Sequence, residues 1–169
     1  MTPAQLLTLR AAVLADPTGA AFFQAPGNAA GLQAYLNGDS TFIAWRTSVT
    51  QDEIMLNGFD WTRVDNLSTG AARVWEWLFD NGLKAFNPSK ANVRAGIEQV
   101  WKGTAADLAV RAAVYVHCKE AASVAEKMLA TGTGTGANPG LRTFEGDVTP
   151  VEAATLIYKD DGTIWTAGG

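Results

Sequence analysis

Residues Thr104 to Ala130 read TAADLAVRAAVYVHCKEAASVAEKMLA, and the reading of this stretch sets the fold class. Thr104 with Asp107 is a helix-start signal, a capping hydroxyl followed by an acid that favours the positive end of the helix. Leu108, Ala112, Tyr115, Ala122, Val124 and Met128 recur at helical spacing. Arg111, Lys119, Glu120, Glu126 and Lys127 supply the polar side. One uninterrupted helix over roughly Ala105–Ala130 is the expectation. Its many alanines let neighbours approach closely, which suits a central, buried position.

The segments before it repeat the same grammar. Thr2-Pro3-Ala4-Gln5 combines a capping threonine, a proline in the first turn and a glutamine that can reach back to the cap. A helix to Ala15 follows, then a short one through Phe23, and a third from Asn28 to Asn37-Gly38. Thr50 to Glu53 opens a short helix that Asn57-Gly58 ends. A longer helix runs from the Asn66–Ser68 region to about Asn81, and Asn87-Pro88 opens another that Gly103 ends. Only STFIAWRTS, Ser40 to Ser48, lacks helical spacing, and its β-branched and aromatic content predicts a short extended segment.

After the long helix comes TGTGTGANPG, Thr131 to Gly140, read as a flexible linker. Thr149-Pro150-Val151-Glu152 starts a last short helix within a C-terminal arm, whose Trp165 would be stranded in a monomer. The expected class is mainly α. It is a compact helical bundle with a long central helix, a short extended segment near 40–48 and an extended C-terminal arm. The expected division is a helical body over 1–130, a linker over 131–140 and an arm over 141–169.

Whole-chain properties narrow the function. At 169 residues the chain fits one domain, or one with a small appendage. It is 47% hydrophobic and only 18% charged, against roughly 25% for an average domain, a deficit expected where surface is covered by partner chains. Thirteen basic residues against 17 acids give a net charge of −4, which disfavours a grip on phosphate backbone but suits a wall that DNA passes. A single cysteine excludes an internal disulfide. No signal-type leader and no apolar run near 18 residues is seen, so a membrane role is not expected and a reducing compartment is.

Motifs for chemistry are sparse. His117 and Cys118 are adjacent, so on a helix they point about 100° apart and cannot form a nucleophile–base pair. GTGTG follows a helix and lacks the lysine of a phosphate loop. Asp52 and Glu53 sit at a helix start, where acids favour the macrodipole. No catalytic, cofactor-binding or metal-binding residue is assigned, and the protein is not expected to be an enzyme.

The stretch Gln51–Gly82 is richer. Trp61, Trp75 and Trp77 lie close together, interleaved with Arg63 and Arg73. Trp75 shares a helical stripe with Leu78 and Phe79 and is the core candidate. Trp77 lies on another side and should meet something else. An intramolecular polar cluster under a tryptophan lid and a subunit interface both fit, because aromatic and arginine enrichment marks interface hot spots. The candidate interface residues are Trp45, Arg46, Trp61, Arg63, Trp77 and Trp165.

Three segments resemble a protein family encoded by tailed bacteriophages and prophages: DEIMLNGFDWTRVDNLSTGAARVWEW, NPSKANVRAGIEQVWKGTAADLAVRAAVYVHCKEAAS and KMLATGTGTG. The likeness spans roughly Asp52–Gly136, about half of the chain. What it implies is a virion structural component, and it transfers no catalytic residues. The helical reading and the arm then favour a head–tail connector (adaptor). Such a protein forms a homo-oligomeric ring between portal and tail, contacts portal, tail or other neck proteins, and is assembled in the bacterial host cytoplasm. DNA would at most pass through its channel. A capsid decoration, minor head or other tail-associated protein is the alternative, and a small phage-encoded enzyme or regulator is the alternative of another class.

Overall fold

The computed structural model describes residues 1–55, 59–60, 62–80 and 82–166. In chain order the elements are helix α1 (Pro3–Ala15), α2 (Pro17–Ala20), a 3-10 turn (Ala21–Phe23), α3 (Ala29–Leu36), strand β1 (Asp39–Trp45), β2 (Val49–Thr50), α4 (Gln51–Met55), α5 (Thr62–Asp65) and α6 (Thr69–Phe79). Then come β3 (Ala85–Phe86), α7 (Ala91–Val100), α8 (Ala105–His117), β4 (Lys119–Ser123), α9 (Val124–Leu129) and α10 (Pro150–Ile157). Among the described residues helix accounts for 53% and strand for 13%, with β1 paired to β4 and β2 antiparallel to β3. The class is mixed α/β, which corrects the expectation of a mainly α bundle.

The long central helix does not exist. α8 stops at His117, and Ser123 opens α9 with a full capping box: its side chain accepts from the Glu126 N–H while the Glu126 carboxylate accepts from the Ser123 N–H. A capped start in mid-segment satisfies backbone donors that a continuous helix would bond differently. The residues between become β4. Ser40 and Gly38 flank it on the β1 side, where the Ser40 hydroxyl donates to Ala122 O at 2.6 Å and Gly38 O accepts from Val124 N at 2.9 Å.

Two compact units are present: Met1–Ala44 with the chain from Ala121 onward, and Trp45–Glu120. This differs from the expected division at 131–140. In the first unit Leu9 and Val13 of α1, Leu32 and Leu36 of α3, Leu129 of α9, and Leu156 and Ile157 of α10 form one core. The expected extended arm is therefore folded back, with α10 packed on α3 and α1. Arg10 fastens it by donating to the Thr155 and Leu156 carbonyls. The ion pair of Arg142 with Glu126 is almost fully buried.

The Thr131–Gly140 stretch is tied down as well. Thr131 and Leu141 exchange both backbone hydrogen bonds at 2.9 Å, Ile43 N donates to Gly134 O, and Gly140 N donates to Ile43 O. A Cβ at Gly134 or at Gly140 would lie 2.0 or 2.2 Å from a Phe42 ring carbon. These glycines serve close approach to an aromatic ring, not flexibility.

The second unit is built on aromatic contacts. Phe59 stacks on Trp75 at 5.7 Å, and Trp101 meets Trp75 edge-to-face at 5.4 Å. Phe79 links Trp75 to Phe86. Val110 and Val114 of α8 close this core from one side.

Candidate functional site

Trp45 and Arg46 stand where β1 ends and the second unit begins. The Arg46 backbone is held at both ends: its N–H donates to Cys118 O at 2.9 Å, and its carbonyl accepts from Ser89 N at 3.1 Å. Its guanidinium donates to Glu53 at 2.7 Å and to the His117 carbonyl at 3.1 Å, with Glu120 at 3.6 Å. The Thr50 N–H, and then Arg46, hold the Glu53 carboxyl below its ordinary range. The Trp45 ring meets Tyr115 edge-on at 5.5 Å, with Arg94 4.8 Å and Lys119 5.3 Å from its centroid. Both residues bind their own unit together.

Arg63 is used similarly. It donates to Asp107 and, at 3.2 Å, to the Thr104 hydroxyl, fastening α5 to the start of α8. Arg63 and Asp107 line a cleft of about 560 Å³ together with Ser68, Gln99 and Lys102. Its volume would admit a small ligand. Asp107 is not poised there as a general acid or base, however. The Arg63 hydrogen bond, aided by the Thr104 N–H, holds the Asp107 carboxyl down at about 2. An acid or base that works near neutral pH needs a value near the working pH, and this carboxylate is far from it.

Cys118 is fully buried, and burial pushes its thiol up to about 12. The thiolate is the nucleophile, so this sulfur is inert in the folded protein. Among the described residues no group of three His, Cys, Asp or Glu side chains is placed to hold a metal. Among them also, no single helix is long and apolar enough to cross a membrane.

Trp165 is not stranded. In the first unit Arg10 stands 4.1 Å and Lys159 4.8 Å from its ring centroid, and its indole N–H donates to Tyr158 O at 3.2 Å. Trp61 lies outside the described residues. Trp77 alone of the five described candidates turns outward, at 65% exposure. It borders a cleft of about 520 Å³ with Trp75, Phe79, Glu76, Asp80 and Lys84. Of the described candidates, Trp77 alone stands on an open surface, and Trp45, Arg46, Arg63 and Trp165 each make contacts within their own unit.

A second open surface was missed. Leu108, Ala112 and Val116 lie four residues apart along α8, and all three are exposed, Val116 at 71%. With Tyr115 they line a shallow cleft of about 370 Å³ rimmed by Glu98, Arg111 and Lys119. The apolar spacing of Leu108 and Ala112 suits the inward side of a buried central helix, but both face outward. The side that is buried carries Val110 and Val114.

No protein-family model matches the chain, and no curated protein and no solved structure matches it.

Proposed function

We propose that this protein is a structural subunit of a tailed-phage virion, a head–tail connector that works by docking and not by catalysis. The observation that supports docking is the outward placement of Trp77 and of the Leu108–Ala112–Val116 face, both on the second unit. Isolated apolar side chains on a surface are ordinary, but a tryptophan beside a cleft and a continuous apolar helix face are what partner chains cover. The resemblance of Asp52–Gly136 to phage-encoded proteins supplies the virion context. Copies of the same chain, portal and tail or other neck proteins are the partners, and the acidic chain lets DNA pass without gripping it.

The folded-back C-terminal segment changes the mechanism. With Leu156, Ile157 and Trp165 engaged in their own unit, docking belongs to the helical surfaces of the second unit and not to a reaching arm. The direct genetic test is deletion of the coding sequence from the phage that carries it. A connector role predicts filled heads and finished tails that remain unjoined, with infectivity restored by the wild-type chain. Normal joined particles without the protein would overturn the role.

A further inference from the structure

We infer that the cleft lined by Arg63 of α5, the first turns of α6 and the end of α7 binds a small monocarboxylate with an apolar body. The inference stands apart from the docking role, and the two fail separately. Leu67, Val74 and Val100 give the cleft an apolar wall, and Ser68, Gln99 and Lys102 a polar edge. An apolar wall with a few convergent polar groups is the make-up of a small-molecule site. The polar groups here are mostly donors in want of acceptors. Arg63 bonds through Nη2 alone, to Asp107 and the Thr104 hydroxyl, and its Nε–H is buried with no acceptor. Lys102 gives one hydrogen bond, to Gln99 Oε1 at 3.0 Å, of the three that an ammonium can give. Ser68 accepts from the Ala71 N–H, and neither its own hydroxyl hydrogen nor the Gln99 NH2 group meets an acceptor among the described residues. The Gly70 N–H, one of the first-turn donors that no helix carbonyl takes, adds to this excess.

Acceptors are fewer. Both Asp107 oxygens are taken, one by Arg63 and the other by the Thr104 N–H, which leaves the Asn66 side-chain oxygen. A donor excess calls for an acceptor-rich, negatively charged guest, since hydrogen bonds to an ionised acceptor are the strong ones. The charge count sets how negative. Arg63, Lys102 and Asp107 are the charged residues on the wall, and Arg63 and Asp107 neutralise each other, so one positive charge is left over. Asp65 and Arg73 stand next to lining residues in sequence without lining the cleft, and their charges are opposite. Glu98 accepts from the Tyr115 hydroxyl and lines a different cleft. One negative charge is therefore matched. A phosphate ester, with a charge of about −1.5 to −2 at neutral pH, carries more than Lys102 balances and brings it near the Asp107 carboxylate. A carboxylate fits, with its apolar body against Val74 and Val100.

Titration of the full chain with benzoate, followed by amide NMR shifts, tests this, with benzyl alcohol and phenyl phosphate as companion probes. Benzoate should saturate in the millimolar range and shift the Gly70, Ala71 and Gly103 amides. Benzyl alcohol lacks the charge and should bind at least about tenfold more weakly, the scale of a lost charge-assisted hydrogen bond. Phenyl phosphate should bind no more tightly than benzoate. Lys102→Gln, at an exposed position, should weaken benzoate about tenfold and leave the fold intact. Gly70→Leu should occlude the cleft, and its added Cβ meets no atom within 4 Å, so this variant folds too. The site is overturned by an absence of saturable shifts, by shifts centred on other amides, by equal affinity for benzyl alcohol, or by undiminished benzoate binding in either variant. Tighter binding of phenyl phosphate overturns the choice of a monocarboxylate.

Discussion

Trp75 and Trp77, two positions apart on α6, divide between core and solvent: Trp75 is 6% exposed and Trp77 65%. Two residues turn a helix by about 200°, so one apolar face cannot hold both. The inner indole stacks on Phe59 and meets Phe79 and Trp101, while the outer one borders an open cleft. Trp75→Ala should therefore cost about 3–5 kcal/mol of folding stability, the range for emptying a large aromatic site. Trp77→Ala should stay within about 0.5 kcal/mol of wild type, as surface changes do. Denaturant titration of the two variants reads this directly, and equal losses would place both rings in the core.

Arg142 carries the second prediction. Its side chain is 3% exposed and pairs with Glu126, 8% exposed, at 3.1 Å, and with Glu145 at 3.0 Å. Removing one partner of a buried ion pair leaves a charge without compensation and typically costs about 3–5 kcal/mol. Arg142→Met should show such a loss in urea unfolding. A change below about 1 kcal/mol, the scale of a solvated surface pair, would mean that this pair is open to water.

The Gly/Thr segment yields a third. Gly134→Ala and Gly140→Ala each drive a methyl into the Phe42 ring, and Gly134 also holds a φ of +64°. Overpacking of this kind costs about 1–3 kcal/mol. Phe42→Ala combined with Gly140→Ala should recover part of the methyl's cost relative to Phe42→Ala alone. Fully additive losses in the double-mutant cycle would remove the contact.

Acid stability follows from Asp107. Its carboxyl sits at about 2 in the folded chain, against about 3.9 when unfolded. Between those values the unfolded chain binds more protons, so stability rises with pH there and is lost as pH falls from about 4 toward 2. Asp107→Asn should flatten this part of the profile while also lowering stability at neutral pH through the weakened cap. Asp16, Glu53 and Glu152 are lowered too and preserve some slope. Unfolding free energies measured from pH 2 to 6 check the difference, and an unchanged slope would detach Asp107 from it.

Cys118 should resist thiol reagents at pH 8 in the native protein and react fully on denaturation. Burial and a thiol near 12 leave almost no thiolate in the folded state. Rapid native labelling at that pH would mean that the α8 end opens readily.

Local signals were legible wherever a backbone donor meets a nearby side chain. The boxes at Thr2, Thr104 and Thr149 start α1, α8 and α10 as read. Helical geometry alone separated Trp75 from Trp77. Ser123-Val124-Ala125-Glu126 carries the same box, but continuous apolar spacing through Ala122 and Val124 hid it. β4, Lys-Glu-Ala-Ala-Ser, contains no strand-favouring residue; its conformation comes from pairing with β1, about 80 positions away. Gly134 and Gly140 look flexible until Phe42 is beside them. Periodicity showed that α8 has apolar positions, yet it could not show that Val110 and Val114 are covered while Leu108 and Val116 are open.

Gold-labelled antibody against the protein, imaged by electron microscopy on intact particles of the phage that encodes it, tests the connector role most directly. Label confined to the head–tail junction is the expected outcome. Label spread over the capsid surface or along the tail, or particles that carry none, would refute it.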